Sequence, residues 1–250
     1  MSCDERLMDE VIWHDVECGA YAADLPLWEG LAEAVRDDGP IMELGCGTGR
    51  VTLHLARRGA SPLLGLDSNP ELVAAVWDRA RRGIAAEAEV ADVRDFDFHP
   101  AFELVIAPMQ LIQLLRDRAE RARCLGCVAA SMPLGGRAAF AIVEEMPPPA
   151  PEGALPPLPD VRQLDGWVYS SLPLEPFFAD GAIVVRRLRQ TISPDGELSE
   201  RLNEVELQTL SAAALEAEAA EAGLRAAGRL AIPATDAHVG STVVLLEKGP

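Results

Sequence analysis

Short apolar runs alternate with segments of helical character between residues 40 and 143, and this alternation limits the fold more than any other feature. Continuous apolar strands are typical of parallel sheets, whose two faces are both buried. Amphipathic helices between such strands cover those faces. The predicted strands are residues 41–44, 63–67, 85–93, 102–107 and 136–145, and the predicted helices are residues 51–59, 68–83 and about 111–132. The sequence therefore predicts an α/β fold with a doubly wound, mostly parallel sheet.

The rest of the chain divides by composition into three further parts. Residues 1–38 have helical character and are rich in aromatic side chains, so we expect a helical N-terminal cap. Residues 146–210 begin with a proline-rich connector, 146–160, and continue with strand-like alternation, which predicts an antiparallel β insert on the substrate side. Residues 211–250 are predicted to be a helix and two strands that complete the core, whose main part is residues 39–145.

The net charge of the chain limits the classes of molecule that it can bind. A net charge of −18 argues against binding of nucleic acid, since a phosphate backbone is met by clustered Lys and Arg. The basic stretches 116–123 and 186–189 are interpreted as solvated faces, and the alternative is that Arg186, Arg187 or Arg189 meets an acidic substrate. No apolar run approaches the ~18 residues that span a bilayer, and the acidic start is unlike a signal peptide. We therefore expect no membrane association and a cytoplasmic location.

The cysteines carry little functional signal. Cys124 and Cys127 form a single CxxC pair in an apolar, helical segment with no second pair nearby. In a reducing compartment we expect both to be small buried hydrophobic residues, and a zinc or redox site is the alternative. No metal site is predicted.

Three glycines, Gly45, Gly47 and Gly49, follow the first predicted strand in the stretch MELGCGTGR. Glycine in such a place serves a sharp turn or the close approach of a ligand, and a helix start that follows is suited to a nucleotide. A dinucleotide site needs glycine where this chain has Arg50, and a P-loop needs a Gly-Lys-Ser/Thr ending that is absent here. Both of these nucleotide sites fit the sequence poorly.

The stretches MELGCGTGR and GLDSNPELV resemble the first two motifs of class I S-adenosylmethionine (SAM) dependent methyltransferases, in particular those that act on small molecules. The resemblance implies a Rossmann-like fold and SAM as the cofactor. In this family the glycine loop lies against the methionine and ribose of SAM, which implies contacts from Gly45, Cys46, Gly47 and Gly49. Glu43 would face the ammonium group of SAM through water.

The same resemblance assigns further cofactor contacts after successive strands. Asp67, followed by Ser68, ends the second strand, where a carboxylate can accept hydrogen bonds from both ribose hydroxyls. Asp92 matches the acid that receives the adenine amino group, with the N–H of Val93 beside it. Ala107 ends the fourth strand, whose following loop edges the transferred methyl group. For each acid taken alone, an alternative interpretation is a solvated residue at a strand end or a helix cap, with no role in binding.

Four residues are candidates for the acceptor side of the site. The resemblance places Tyr21 near the methyl group, while His14 and His238 could reach the pocket and Glu144 closes the fifth strand. His54 is interpreted as a surface residue and His99 as a turn residue. An oxygen acceptor needs a general base or a metal, whereas a neutral amine needs little help.

These observations predict a methyltransferase that acts on a small molecule, with N-methylation slightly favoured over O-methylation. The alternatives are a methyltransferase-fold protein with cyclase-like chemistry or one that only binds SAM. The expected partner is a small-molecule substrate, with no nucleic acid and no membrane, and the sequence leaves a homodimer open.

Overall fold

The computed structural model describes residues 3–60, 62–81, 83–145, 157–235 and 238–250, with side chains from residue 10 onward. Seven strands form the main sheet in the order β10-β11-β5-β4-β1-β2-β3. They are β1 (Ile41–Leu44), β2 (Leu63–Asp67), β3 (Glu87–Val90), β4 (Leu104–Ala107), β5 (Arg137–Ile142), β10 (Leu224–Ile232) and β11 (Ser241–Lys248). Six of these strands point in one direction, and β11 runs opposite to them, between β10 and β5. The predicted doubly wound, mostly parallel sheet is confirmed.

Six α-helices accompany the strands in the described residues: α1 (Cys3–Cys18), α2 (Leu25–Glu33), α3 (Arg50–Arg57), α4 (Pro70–Ala80), α5 (Arg118–Ser131) and α6 (Ala212–Glu221). Asn69 caps α4 by accepting hydrogen bonds from two backbone N–H groups of its first turn. The helix predicted over residues 111–132 is interrupted: a short 3-10 helix (Leu111–Leu114) precedes α5, whose first turn is capped by Asp117. The third strand is also shorter than predicted.

The core lies on both faces of the main sheet, as the apolar strands require. One face packs against α5 and α6, with Leu125 and Leu215 among its fully buried side chains. The other face packs against α2 and α3, where Trp28 and Leu55 are buried. A smaller cluster joins α4 to β3 and to the glycine loop.

The insert is a separate antiparallel sheet of four strands, β6 (Asp160–Leu164), β7 (Trp167–Ala179), β8 (Ala182–Ile192) and β9 (Leu198–Gln208). The strand-like alternation that was predicted for the insert corresponds to β7, β8 and β9, whereas β6 was not predicted. Asp165 and Gly166, both with positive φ (48° and 84°), form the turn between β6 and β7. An Asp-Gly pair is a hairpin signal, so this strand pair was detectable. Residues 146–156 of the predicted proline-rich connector lie outside the described residues.

Two acids of α1 fasten this helix to the core and to the insert. Asp15 accepts hydrogen bonds from Arg79 of α4 (2.6 Å) and from Arg162 of β6 (2.5 Å). Glu17 accepts both hydrogen bonds of the Arg189 guanidinium (2.7 Å each) and one from Ser171 (2.7 Å). The helical cap is therefore held in place by ion pairs between elements far apart in sequence.

The interpretation of the arginine stretches as solvated faces is wrong for several members. Arg189 is buried against Glu17, Arg187 pairs with Asp160, and Arg121 forms a buried pair with Glu218. His54 is also not simply a surface residue, since it is half-buried and hydrogen-bonds Glu29 of α2. In each case the partner carboxylate is distant in sequence, so no local pattern announces it.

Cys124 is fully buried in α5, and burial raises the pKa of its thiol to about 12. Both Cys124 and Cys127 are free thiols.

Among the described helices, none is long and apolar enough to cross a membrane.

Candidate active site

The glycine loop between β1 and α3 has the backbone conformation that its sequence requires. Gly45, Gly47 and Gly49 all have positive φ (65°, 54° and 86°), a region that favours glycine. A β-carbon on Gly45 would lie 2.7 Å from Leu111, and one on Gly47 would lie 2.1 Å from Nε2 of His14. The backbone is therefore left-handed at all three glycines, and the side chains of Leu111 and His14 lie too close to the loop for a β-carbon at Gly45 or Gly47.

Asp67 stands beside this loop at the end of β2. Its two carboxylate oxygens accept hydrogen bonds from the backbone N–H of Gly47 (2.8 Å) and of Asn69 (2.9 Å). These contacts orient the carboxylate while leaving each oxygen a further lone pair. Ser68, the next residue, is exposed at the same edge of the sheet. Asp67 is thus preorganised to accept hydrogen bonds from a ligand above the loop.

Glu43 lies in the core beneath the loop. Its side chain is buried and accepts a hydrogen bond from the hydroxyl of Thr52 in α3. Burial raises the pKa of this carboxyl to about 8, against the lowering effect of Thr52 and Arg50. Cys46 is buried nearby, and burial raises the pKa of its thiol. Burial therefore favours the protonated form of Glu43, and its predicted role toward the ammonium group of SAM stays a prediction.

Asp92, predicted to receive the adenine amino group, lies just beyond β3 in an ion-pair network. Arg94 donates to both of its carboxylate oxygens (2.9 Å to Oδ1 and 2.6 Å to Oδ2) and also to Glu120 (2.7 Å). Hydrogen bonds from Arg94 lower the pKa of Asp92 to about 2. The carboxylate is therefore always ionised at neutral pH, with Val93 next to it in the same turn. The sequence analysis did not foresee Arg94 or Glu120.

The loop after β4 carries backbone strain at the position that the resemblance assigns to the methyl group. Ala107 ends β4 in the buried core, and Met109 and Gln110 both have positive φ (52° and 62°). Consecutive residues of this kind, without glycine, are uncommon and often mark functional sites. The Gln110 amide donates to the hydroxyl of Ser241 (3.1 Å), which joins this loop to the start of β11.

Gln113 is a buried residue that the sequence analysis missed. Its amide nitrogen donates to the carbonyls of Val143 (3.0 Å) and Gln208 (2.9 Å), and its oxygen accepts from the N–H of Val143 (2.7 Å). This one side chain therefore ties the end of β5 to the end of β9. A lone Gln in an apolar run gives no sequence signal for such a role.

Tyr21 and His238 meet face to face although they are far apart in sequence. Their ring centroids lie 4.5 Å apart at an interplanar angle of 30°, and the Arg50 guanidinium lies 5.0 Å from the Tyr21 centroid. Arg50 forms a bidentate ion pair with Asp24 (2.7 Å for both bonds). Burial lowers the pKa of His238. Two of the four predicted acceptor-side residues are therefore brought together.

Glu144 lies in the wall of a cavity at the end of β5, and two hydrogen bonds hold its side chain there. One carboxylate oxygen accepts from the N–H of Ala212 at the start of α6 (2.8 Å), and the other accepts from Thr242 (2.8 Å). Glu144 therefore caps a helix and braces β11. Its exposed neighbour Glu145 lies at the rim of an open cavity of about 430 Å³, whose wall also contains Ile232, Gly240 and Ser241.

The donor and acceptor set fits SAM. The glycine loop presents backbone without side chains, Asp67 offers carboxylate oxygens beside it, and Asp92 offers a second carboxylate one strand further along the sheet edge. A ligand with vicinal hydroxyls and an exocyclic amino group satisfies these acceptors, and it needs no phosphate site.

Comparison with known proteins agrees with this geometry. Residues 41–136 match a family described as a methyltransferase domain. A trans-aconitate 2-methyltransferase of Mycobacterium tuberculosis (strain ATCC 25177 / H37Ra) is 41% identical over 68 residues, which are 27% of this chain and 24% of that protein. The matched stretch thus spans about a quarter of the relative.

Two solved structures resemble nearly the whole chain. The sugar N-methyltransferase KedS8 from Streptoalloteichus sp ATCC 53650 superposes with a TM-score of 0.71 at 20% identity, over 96% of this chain and 92% of that one. The SAM-bound amino pentose methyltransferase CalS10 from Micromonospora echinaspora does so with a TM-score of 0.67 at 17% identity, over 92% of both chains. At these identities the likeness shows the fold.

Residues 41–136 therefore match a methyltransferase domain, and the chain as a whole has the Rossmann-like fold of SAM-dependent methyltransferases, as the resemblance implied. SAM as the cofactor is likewise supported by the family match and by the SAM-bound neighbour.

Proposed function

We propose that this protein transfers the methyl group of SAM to a small-molecule acceptor, and that the acceptor atom is an amine nitrogen. The observation that carries the transfer is the left-handed glycine loop with Asp67 hydrogen-bonded to Gly47 beside it. Bound SAM supplies an electrophilic methyl group on a sulfonium, which is already an excellent leaving group. The protein therefore contributes alignment, proximity and exclusion of water.

Each part of the chain has a task in this proposal. Asp67 and Asp92 hold the ribose and adenine of the cofactor, and Ser68, Val93 and Ala107 line its path along the sheet edge. The stacked rings of Tyr21 and His238 form a wall of the acceptor pocket, with Arg50 behind Tyr21. Residues 1–38 act as the cap and residues 146–210 as the substrate-side insert, while residues 39–145 and 211–250 form the core.

The preference for an amine is supported by the charges around the pocket. Four arginines of α3, α4 and the insert are paired with acids: Arg50 with Asp24, Arg79 and Arg162 with Asp15, and Arg189 with Glu17. A carboxylate acceptor would have to compete with these acids. The cavity beside Ser241 is instead bordered by Glu144 and Glu145, which suits an amine that enters protonated and gives its proton to water in this open cavity before the neutral nitrogen attacks.

Asp67→Ala is expected to weaken binding of S-adenosylhomocysteine at least tenfold. The reason is the loss of hydrogen bonding to a charged acceptor, worth about 1.5–3 kcal/mol. Isothermal titration calorimetry measures the change, with Asp78→Ala, an exposed acid of α4, as the matched control. Equal affinity of wild type and Asp67→Ala would refute the assignment of Asp67.

Acceptor class is tested by kinetics with matched compounds. We expect an amino-sugar glycoside to be methylated with a kcat/KM at least about tenfold above the corresponding hydroxy sugar, because an alkoxide needs a base that an amine does not. trans-Aconitate should not be turned over. Glu145→Gln should raise KM for the amine and leave affinity for S-adenosylhomocysteine unchanged. A higher rate with trans-aconitate than with any amine would contradict the proposed acceptor.

Cyclase-like chemistry and simple SAM binding stay the alternatives. Methylated product together with stoichiometric S-adenosylhomocysteine distinguishes transfer from both of them. The cytoplasmic location and the open question of a homodimer stay predictions of the sequence.

A further inference from the structure

His14 lies on α1 directly above the glycine loop. Its Nδ1 is 3.1 Å from the hydroxyl oxygen of Thr48, a residue of that loop. Its other ring nitrogen, Nε2, is so close to Gly47 that a β-carbon there would lie 2.1 Å from it. The sequence analysis assigned His14 to the acceptor side, whereas the structure sets it over the cofactor loop.

The hydrogen bonds of Thr48 determine which ring nitrogen of neutral His14 carries the proton. Thr48 donates its only hydroxyl hydrogen to a carboxylate oxygen of Asp15 (2.8 Å). Although burial opposes it, hydrogen bonds from Arg79, Thr48 and Arg162 lower the pKa of Asp15, so this carboxylate is ionised and can only accept. The Thr48 oxygen must therefore accept from His14, which places the proton on Nδ1. Nε2 is left with a free lone pair above Gly47.

Two acceptors thus converge over the same part of the loop. Asp67 accepts from the N–H of Gly47, and the Nε2 atom of His14 lies beside the same residue. The charged groups that face His14 are Asp67 of β2, Asp15 of its own helix, Arg50 of α3 and Arg79 of α4. Arg162 of the insert reaches this group through Asp15.

We propose that Nε2 of neutral His14 accepts a hydrogen bond from one ribose hydroxyl of SAM, while Asp67 accepts from the other. Each hydroxyl has a single hydrogen, so two hydroxyls match two acceptors one to one. The proposal rests on the proposed function, since it needs the cofactor on the glycine loop. It makes His14 a cofactor-binding residue contributed by the cap.

A pH dependence of cofactor affinity follows from the tautomer. Burial lowers the pKa of His14 below its ordinary value of 6.5. A protonated imidazole has no lone pair, so it cannot accept the hydroxyl hydrogen. Affinity is therefore complete above this pKa and falls as the pH is lowered through it.

The test uses calorimetric binding of S-adenosylhomocysteine and of its 2′-deoxy and 3′-deoxy analogues to the full-length protein. Wild type should disfavour each analogue by about tenfold, the size expected for one hydrogen bond. In His14→Phe the penalty for one analogue should disappear and the penalty for the other should remain. In Asp67→Ala the pattern should reverse. His54→Phe, which changes a histidine paired with Glu29 away from the loop, should keep both penalties.

His14→Gln provides a second readout, because its amide retains an acceptor without titrating. It should keep both analogue penalties and bind with an affinity that no longer falls as the pH is lowered below 6.5. If His14→Phe keeps both penalties, or if Asp67→Ala alone abolishes both, the proposal for His14 is overturned. If wild type binds no S-adenosylhomocysteine at all, the proposed function fails instead, so the two failures are distinguishable.

Discussion

Asp24→Ala is expected to lower the free energy of unfolding by about 3–5 kcal/mol, the cost of leaving a buried charge without its partner. The side chains of Arg50 and Asp24 are 9% and 1% exposed. Removing Asp24 leaves the guanidinium with one other hydrogen bond, to the carbonyl of Tyr21 (2.9 Å). It also deprives the buried indole N–H of Trp28 of its acceptor (2.8 Å). Urea unfolding measures the loss.

The matched control is Asp78→Ala, because Asp78 also pairs with an arginine of the same chain. There the two side chains, Asp78 and Arg81, are 69% and 76% exposed. Water screens such a pair, so the change should be within about 0.5 kcal/mol. Similar losses in the two variants would show that burial of the Arg50–Asp24 pair carries no special cost.

Asp24→Ala should also affect the site, since Arg50 is held by Asp24 behind the Tyr21 ring. We expect KM for the acceptor to rise while the affinity for S-adenosylhomocysteine changes little. Steady-state kinetics measure KM for the acceptor, and calorimetry measures the affinity for S-adenosylhomocysteine.

Glu43→Gln is expected to remove a pH dependence from stability. The folded state holds the Glu43 carboxyl with a pKa of about 8, raised by burial from an ordinary 4.5. Since folding binds a proton in this range, the stabilising contribution is complete below pH 4.5 and is lost as pH rises toward about 8. Wild type should therefore lose roughly 3–5 kcal/mol across this interval relative to the variant. The comparison between the two proteins isolates Glu43 from other titrating groups.

Urea unfolding at several pH values between about 5 and 9 measures this difference. Glu71→Gln, at a partly buried acid in the first turn of α4, is the control. A constant difference between wild type and Glu43→Gln across the range would mean that the carboxyl is ionised in the folded protein. It would then be available to the cofactor ammonium group, as the sequence comparison implied.

The prediction of the core succeeded because its signals are local. Ile41–Leu44 and Leu63–Asp67 are continuous apolar runs of four and five residues, a length and pattern typical of buried strands. Asn69 and Pro70 mark the start of a helix, because Asn caps the first turn and Pro fits its first position. The three glycines of the loop predicted a left-handed backbone, because other residues rarely adopt positive φ. Asp67 lies at the end of β2, where the resemblance placed it, and its role toward the cofactor stays a prediction.

The acceptor side was predicted less well because its contacts join distant segments. His14 meets Thr48, Tyr21 meets His238, and Gln113 joins β5 to β9. Glu144 follows β5, where the sequence placed it, and the structure adds its contacts with the start of α6 and with Thr242. Pairings of this kind depend on how the layers pack, and packing leaves no periodicity in the sequence.

The sequence by itself determined the strand and helix order, the left-handed glycine loop and the acids at the sheet edge, because backbone preference and hydrophobic period act over a few residues. The tertiary structure alone decided which charges are paired and which ring nitrogen of His14 is free. Those outcomes depend on burial and on partners brought together by the fold, such as Asp15 with Arg79 and Glu17 with Arg189. Burial and long-range Coulomb attraction exist only once the chain has folded.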